Sequence, residues 1–173
     1  LFKTKIVENP ESRDDVRITT PHGVEYDIND LSFKNYLEKK FERTLRLKYS
    51  KKSYFDSRKI SIFGLNTIDE IGKELGFQLD HKRFRANFYI DWVNKKPFFE
   101  DELVGKTIRI GGAEFNIIKR IGRCIIITLE PETAESNFNI LRHVAKKHEN
   151  CAGVYAEVIK EGIVKVGDEV VLI

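Results

Sequence analysis

Apolar and polar residues alternate along several short runs of this chain, and other runs repeat at helical spacing. Alternation on both sides of a turn predicts a β-hairpin over residues 16–28. Apolar residues that recur every three or four positions predict one helix from Asp30 to about residue 43 and another over 67–75. The first four residues of this second helix have the spacing of a capping box. Period two returns over 45–49 and predicts a strand there.

The downstream part of the chain is dominated by β-like runs separated by glycines at turn positions. The predicted strands are 84–90, 107–110, 114–120, 124–129, 153–159 and 169–173. They are interrupted by a predicted helix from residue 136 or 137 to about 147. Six strands at short spacing predict a mainly β (α+β) fold, a closed or half-closed β-barrel with a few peripheral helices. A parallel βαβ architecture does not fit this order.

The start of the chain differs in composition from the rest. Residues 8–15 are polar and include Pro10, which predicts a flexible N-terminal arm over 1–15. The remaining residues, 16–173, have the length of one domain, since single domains mostly span roughly 100–200 residues. The opening residues lack the apolar stretch of a signal peptide, which favours a cytoplasmic protein.

Composition excludes several functional classes. The chain has 30 basic and 27 acidic residues, a net charge of +3, so the protein as a whole has little attraction for a nucleic-acid backbone. Its apolar runs are far shorter than the ~20 residues of a membrane-spanning helix. Two cysteines are too few for a disulfide framework. The sequence also lacks the glycine-rich phosphate loops of common ATP and NAD enzymes and the Gly-x-Ser-x-Gly of serine hydrolases.

Two histidines invite a metal-site hypothesis that their spacing does not favour. His143 and His148 lie five residues apart, which on a regular helix turns them to different faces. No Cys-x-x-Cys accompanies them, so the sequence gives little support for a zinc site.

Cys124 is the leading candidate for chemistry. It follows Arg123 at the edge of a predicted strand, two residues after Gly122. A thiol beside a guanidinium and close to a turn ionises more readily, and it can then act as nucleophile, persulfide carrier or soft-metal ligand. The alternative is a buried cysteine that serves as a small apolar residue in a barrel strand.

A second candidate for chemistry is the basic run over residues 81–87. If 84–90 is a strand, alternation places Arg83, Arg85 and Asn87 on one face, where two guanidiniums and an amide form a phosphate clamp. The alternative is an outer face whose arginines pair with carboxylates. A third candidate, the basic segment 39–52, mixes lysines with aromatic residues, and its alternative is a solvated helix face.

Short motifs follow one another between residue 55 and the C-terminus. In order they are Phe55-Asp56, Ile60-Ser61-Ile62, Arg83-Phe84-Arg85-Ala86-Asn87, Phe99-Glu100-Asp101, Arg123-Cys124, Pro131-Glu132-Thr133, Gly153-Val154-Tyr155-Ala156 and Val166-Gly167-Asp168. Together they resemble the MOSC domain, the C-terminal domain of molybdenum-cofactor sulfurases, which also occurs in stand-alone bacterial proteins and in amidoxime-reducing enzymes. The resemblance covers about residues 16–173.

The resemblance implies a mainly β barrel that holds a pterin-based molybdenum cofactor (molybdopterin), or a sulfur atom destined for it. Cys124 matches the family's cysteine, and a thiolate is a suitable ligand for a soft metal. Arg85 and Asn87 match the family's residues that contact the phosphate and pterin end of the cofactor. The family pattern does not require a thiol at Cys151, so this residue is either a second sulfur site or incidental.

Four further residues are added as cofactor-binding candidates. Arg83 and Arg123 are adjacent to the matching positions. Ser61 and Thr67 bound a stretch that leads to a predicted helix N-terminus, a favourable place for an anion.

Three functions are then consistent with the sequence. The first is a molybdenum-dependent enzyme that reduces N-hydroxylated or related small molecules with electrons from a separate redox protein. The second is a sulfur carrier whose Cys124 takes a persulfide from a cysteine desulfurase, with pyridoxal phosphate belonging to that partner. The third is a non-catalytic module that binds a nucleic acid or a protein through the basic segment 39–52 and makes no use of Cys124.

Overall fold

The computed structural model describes residues 2–6, 16–46 and 59–173, and it divides the chain into two units, Leu1–Tyr54 and Phe55–Ile173. The sequence predicts instead a flexible arm followed by a single domain from residue 16. The difference arises because Lys3–Ile6, inside the predicted arm, is a strand that pairs antiparallel with the first strand of the predicted hairpin.

The first unit contains a three-stranded antiparallel sheet and one helix. Its strands are β1 (Lys3–Ile6), β2 (Val16–Thr19) and β3 (Glu25–Asp27), and its helix is α1 (Leu31–Phe41). The predicted hairpin and helix are both present. Asp30 caps the helix, since its carboxylate accepts a hydrogen bond from the backbone N–H of Ser32. The strand predicted over 45–49 falls mostly outside the described residues.

The second unit carries six strands and two helices among its described residues. The strands are β4 (Ile60–Gly64), β5 (Phe88–Ile90), β6 (Thr107–Ile110), β7 (Ala113–Gly122), β8 (Cys151–Lys160) and β9 (Val170–Leu172), and the helices are α2 (Leu65–Leu75) and α3 (Phe138–Lys147). Three short 3-10 helices, His81–Phe84, Phe99–Leu103 and Ile125–Thr128, connect them.

These six strands form one curled sheet, a half-barrel, in the order β5-β4-β8-β7-β6-β9. All neighbours are antiparallel except β4 and β5, which are parallel and joined through α2. The register of β7 against β8 shifts at three places along their length. Such irregularities bend and twist a strand pair, which accounts for the curl of the sheet. The sequence therefore correctly predicts an α+β half-barrel with peripheral helices.

The sheet has a hydrophobic core on each face. Ile62 and Phe63 are neighbours on β4, are both completely buried, and point to opposite faces. Ile62 packs with Phe115 and Val154 in one core, whereas Phe63 belongs to the core that α2 and α3 cover. Burial on both faces fixes the register of β4, because a slip by one residue would exchange the two side chains.

One predicted strand starts too early and another is wrong, and both errors bear on the site. Over 84–90 only β5 is a strand, because Asp80 caps the preceding 3-10 helix and Arg85 ends it with a left-handed backbone (φ 51°). Over 124–129 the chain forms a 3-10 helix, which Thr128 closes by donating its hydroxyl hydrogen to the carbonyl of Ile125 at 2.7 Å. The alternation that would place Arg83, Arg85 and Asn87 on one strand face therefore does not exist.

The predicted capping box at Thr67 is also wrong. Helix α2 begins two residues earlier, with Gly64 as N-cap, and Gly76 ends it with φ 79°. The carboxylate that serves its first turn comes from outside the helix, because Glu100 accepts hydrogen bonds from the backbone N–H of Gly64 and from the Thr67 hydroxyl. No helix within the described ranges has the length and apolar composition to cross a bilayer.

Candidate functional site

A cleft of about 310 Å³ in the second unit is lined by residues at the start of β4, before β5, within β8 and at the end of β7. Its volume is at the lower end of the range of small-molecule pockets. Its lining residues among those described are Lys59, Ser61, Arg83, Phe84, Arg85, Asn87, Ile121, Gly122, Arg123, Cys124, Ile126, Ile127 and Tyr155. Four of these are basic and none is acidic, so the cleft is suited to an anionic ligand.

Cys124 lies at the wall of this cleft with its side chain exposed. It follows the end of β7 and is the N-cap of the 3-10 helix Ile125–Thr128. The alternative of a cysteine sealed in a barrel strand is wrong, because the chain leaves the sheet before this residue. An exposed thiol in a concave site is accessible to a small molecule or to another protein's thiol.

Arg123 lies beside Cys124 and is largely buried. Its Nε donates to the carbonyl of Ala152 at 2.7 Å and its Nη1 to the carbonyl of Phe84 at 3.1 Å. The guanidinium carbon lies 4.9 Å from the ring centre of Phe63 and 5.2 Å from that of Phe84. These contacts fix the cation against two aromatic faces.

The charge of Arg123 is only partly compensated. Burial lowers the pKa of this guanidinium to about 10, which still leaves it cationic at neutral pH. Its Nη2 is buried and has no hydrogen-bond partner among the described residues. A buried donor without an acceptor is costly, and an anion that reached it would satisfy both the hydrogen bond and the charge.

Arg85 offers a second uncompensated cation. It is exposed at the cleft, directly after the 3-10 helix His81–Phe84. Its guanidinium has no ion pair or hydrogen bond within the parts of the chain that the structure describes. It is therefore free to bind a ligand bidentately, as arginine binds phosphate.

Asn87 and Ser61 form a fixed pair on one side of the cleft. The Asn87 side-chain oxygen accepts hydrogen bonds from the backbone N–H and the hydroxyl of Ser61, both at 2.9 Å. This arrangement holds the Asn87 amide and leaves its NH₂ group without a partner among the described residues. Asn87 thus presents two fixed hydrogen-bond donors to the cleft.

Arg83 lines the cleft but already has partners. Its Nη1 donates to the carbonyl of Thr128 at 3.0 Å, and its Nη2 forms an ion pair with Glu130. Its main role in this arrangement is to join the segment around residue 83 to the turn that follows Cys124. The alternative from the sequence, an arginine paired with a carboxylate, therefore applies to Arg83. It does not apply to Arg85 within the described residues.

Thr67 lies apart from the cleft. It is completely buried, donates to Glu100 at 3.1 Å, and accepts a hydrogen bond from the backbone N–H of Phe98 at 2.7 Å. Both capacities of its hydroxyl are used inside the protein, so it is a structural residue of α2 and is not available to a ligand in this cleft.

Two further candidate features of the sequence are Cys151 and the basic segment 39–52, and Cys151 is not among the described lining residues of the cleft. Cys151 begins β8 opposite Gly122, and its side chain is half-buried. The basic segment 39–52 includes Lys39 and Lys40 in the last turn of α1, whereas its residues 47–52 lie outside the described chain.

Lys59 and Tyr155 are lining residues that the sequence does not predict. Tyr155 is paired in register with Ser61 across β8 and β4, so its position follows from a long-range strand pairing. Lys59 forms an ion pair with Glu157 at 3.4 Å. The sequence gives only a weak indication of either residue. Lys59 directly precedes the motif Ile60-Ser61-Ile62, and Tyr155 belongs to the motif Gly153-Val154-Tyr155-Ala156; both motifs also contain core residues.

Sequence and structure comparisons identify related proteins. The human (Homo sapiens) molybdenum cofactor sulfurase is 36% identical over 87 residues, which are 49% of this chain and 9% of that protein. Because the chain spans only 9% of the length of this relative, the match concerns one region of the sulfurase.

Two solved structures resemble the fold. The YuaD protein from Bacillus subtilis has a TM-score of 0.50 at 21% identity, over 64% of this chain and 61% of that one. YiiM from Geobacillus stearothermophilus has a TM-score of 0.48 at 15% identity, over 66% of this chain and 53% of that one. The likeness to YuaD supports the half-barrel fold and carries no functional detail. The family model of the MOSC domain matches residues 49–171, well over half of the sequence, and the chain therefore belongs to the MOSC domain family.

Proposed function

We propose that this MOSC protein binds a pterin molybdenum cofactor in the cleft, with the Cys124 thiolate as the metal's protein ligand, and that it reduces N-hydroxylated or related small molecules. The observation that carries the proposal is an exposed cysteine in a cleft with two arginines, Arg85 and Arg123, that have no carboxylate partner among the residues the structure describes. A thiolate is the protein ligand that a soft metal favours, and guanidiniums favour a phosphate.

Each residue then has a distinct role toward the cofactor. Arg85 binds the phosphate end through its exposed guanidinium, and Asn87, oriented by Ser61, donates hydrogen bonds to the phosphate or pterin. Arg123 contributes a fixed positive charge to the cleft wall. When bound, the cofactor supplies a redox-active molybdenum. The proposal includes a redox partner that supplies the electrons.

The test is the molybdenum content of protein produced in cells that make the cofactor. We expect about one molybdenum per chain in the wild type, loss of the metal in Cys124→Ser, and retention in the matched variant Cys151→Ser, since a hydroxyl is a poor ligand for a soft metal. Circular dichroism establishes that the variants are folded. Molybdenum retained in Cys124→Ser at the wild-type level would contradict the proposal.

A second candidate, a sulfur carrier, is favoured by the printed name of the human relative, a molybdenum cofactor sulfurase. In this function the Cys124 thiolate attacks the outer sulfur of a cysteine persulfide on a pyridoxal-phosphate-dependent desulfurase. The new S–S bond forms at Cys124 and the desulfurase thiolate leaves, with no net gain or loss of electrons. Mass spectrometry of the same variants after incubation with a desulfurase and cysteine distinguishes the two: added sulfur at Cys124, without stable molybdenum, supports the carrier.

A further inference from the structure

Away from the cleft, three potential metal ligands converge between α2 and α3. The Nε2 atom of His143 lies 2.6 Å from Oε2 of Glu74, and Nε2 of His148 lies 2.7 Å from the same oxygen. The ligand atoms of the three residues all lie within 4.8 Å of one another. The spacing argument that turns the two histidines to different faces is wrong. Helix α3 ends at Lys147, and His148 is its C-cap with a non-helical backbone (φ −129°, ψ 28°).

The imidazole of His148 is held in place by the surrounding structure. The ring of His148 stacks on that of Phe98, with the ring centres 4.3 Å apart and an angle of 25° between the planes. The carbonyl of His148 accepts hydrogen bonds from Arg120 at 3.2 Å and from the backbone N–H of Cys151 at 2.8 Å. The residue is therefore fixed through both its ring and its backbone, which lowers the entropic cost of ordering it around an ion.

The cluster is partly shielded from water but remains accessible. The side chains of His143, His148 and Glu74 are 17%, 13% and 29% exposed.

We propose that Glu74, His143 and His148 form a binding site for a divalent transition-metal ion, zinc by its chemistry. Two imidazole nitrogens and one carboxylate oxygen are a common set of three protein ligands for zinc, with a fourth position left to water or another ligand. In a tetrahedral site with bonds of about 2.0–2.1 Å, neighbouring ligand atoms lie roughly 3.3 Å apart. The Glu74 oxygen is closer than this to both nitrogens and must move away from them, and the two nitrogens, which lie within 4.8 Å of each other, must also adopt this separation. The partly exposed Glu74 side chain has room for that change.

The site is independent of the proposed function in the cleft. None of its three residues lines the cleft around Cys124. Its ligands come from two different helices, so a bound ion would link α2 to α3 and stabilise the helical side of the second unit.

The experiment is a titration of the full chain with zinc, measured by isothermal titration calorimetry. A second titration uses cobalt, because the visible spectrum of bound cobalt reports its coordination. We expect one equivalent of zinc at micromolar concentration and a tetrahedral cobalt spectrum without sulfur charge transfer. His143→Gln, His148→Gln and Glu74→Gln should each weaken binding by roughly tenfold or more, because each removes one ligand. The matched control is His22→Gln, an exposed histidine in the first unit.

These variants also separate a metal site from a purely structural contact. Glutamine at position 143 or 148 still donates an N–H to Glu74, so a simple hydrogen-bonded link tolerates the change whereas zinc binding does not. Unfolding temperatures measured without metal show whether each variant is folded. Wild-type zinc affinity in all three variants, no binding to the wild type at tens of micromolar zinc, or loss of binding in Cys124→Ser would each overturn the proposal.

Discussion

Gly153 shows how a single backbone position supports the cleft. It lies in β8 with φ 72°, and a Cβ atom there would be 2.6 Å from Cδ2 of Phe63 and 3.0 Å from Nη2 of Arg123. These two groups contact each other, and Arg123 lines the cleft. Only glycine combines the left-handed backbone with this close approach.

Replacing Gly153 with alanine tests this account. We expect Gly153→Ala to destabilise the protein by about 3 kcal/mol, the sum of left-handed backbone strain and overpacking against Phe63 and Arg123. Gly76→Ala is the matched control, since φ is 79° there and no atom lies within 4 Å of the added carbon. It should cost only about 1–2 kcal/mol. Equal losses in chemical denaturation would show that the contacts at Gly153 are unimportant.

At the scale of elements, Glu100 joins segments that are distant in sequence. Its carboxylate is completely buried and accepts hydrogen bonds from the backbone N–H of Gly64 at 3.0 Å, the Thr67 hydroxyl at 3.1 Å and Nε1 of Trp92 at 3.2 Å. It therefore anchors the start of α2 and the chain after β5 to one 3-10 helix. A carboxylate at a helix N-terminus is also favoured by the helix dipole.

Glu100→Gln should lower the free energy of unfolding by about 1–3 kcal/mol, because an amide nitrogen replaces one acceptor oxygen and faces buried donors. Glu102→Gln is the matched control on the same 3-10 helix. Glu102 is half-exposed and forms an ion pair with Lys96, so its loss should change stability by less than about 1 kcal/mol. Urea denaturation of both variants measures the difference, and a Glu100→Gln protein as stable as the wild type would contradict this assignment.

Periodicity predicts the helices whose capping residues are adjacent in sequence. It fails where side-chain hydrogen bonds or residues distant in sequence determine the local structure. It finds α1 and α3 because their caps, Asp30 and Asn137, are adjacent in sequence. It misassigns the region around Cys124, because a run of isoleucines is typical of a strand. In a strand Ile125 and Ile127 would lie on the same face, but Ile125 is 53% exposed and Ile127 only 2%. It also places the start of α2 too late, because the carboxylate that serves its first turn comes from Glu100, 36 residues from Gly64.

Several of the candidate residues lie together for a different reason. The residues proposed from the family resemblance, Arg85, Asn87 and Cys124 among them, do line one cleft, although the strand alternation first used to group the arginines is absent. Arg123 bonded to the Phe84 carbonyl and Arg83 bonded to Glu130 bring the two irregular segments together. These contacts span about forty residues of sequence, so spacing cannot predict them.

For the whole molecule, the small net charge of +3 conceals a concentrated local charge. In the cleft, Arg83 and Lys59 are neutralised by Glu130 and Glu157, whereas Arg85 and Arg123 have no carboxylate partner among the described residues. The field near Cys124 is therefore positive although the protein as a whole is nearly neutral. Such a cleft attracts small anions and is much less suited to a long polyanion.

The central claim, an accessible thiol in a cationic cleft, is tested most directly by alkylation of the two cysteines with anionic iodoacetate and neutral iodoacetamide. The account predicts that Cys124 reacts faster than half-buried Cys151 with both reagents. It also predicts that the rate ratio of iodoacetate to iodoacetamide is higher at Cys124, and that Arg85→Gln or added salt lowers this ratio. Lys82→Gln, a basic residue outside the cleft lining, is the control and should leave it unchanged. Equal reactivity of the two cysteines, or a rate ratio at Cys124 that does not respond to Arg85→Gln, would contradict the account.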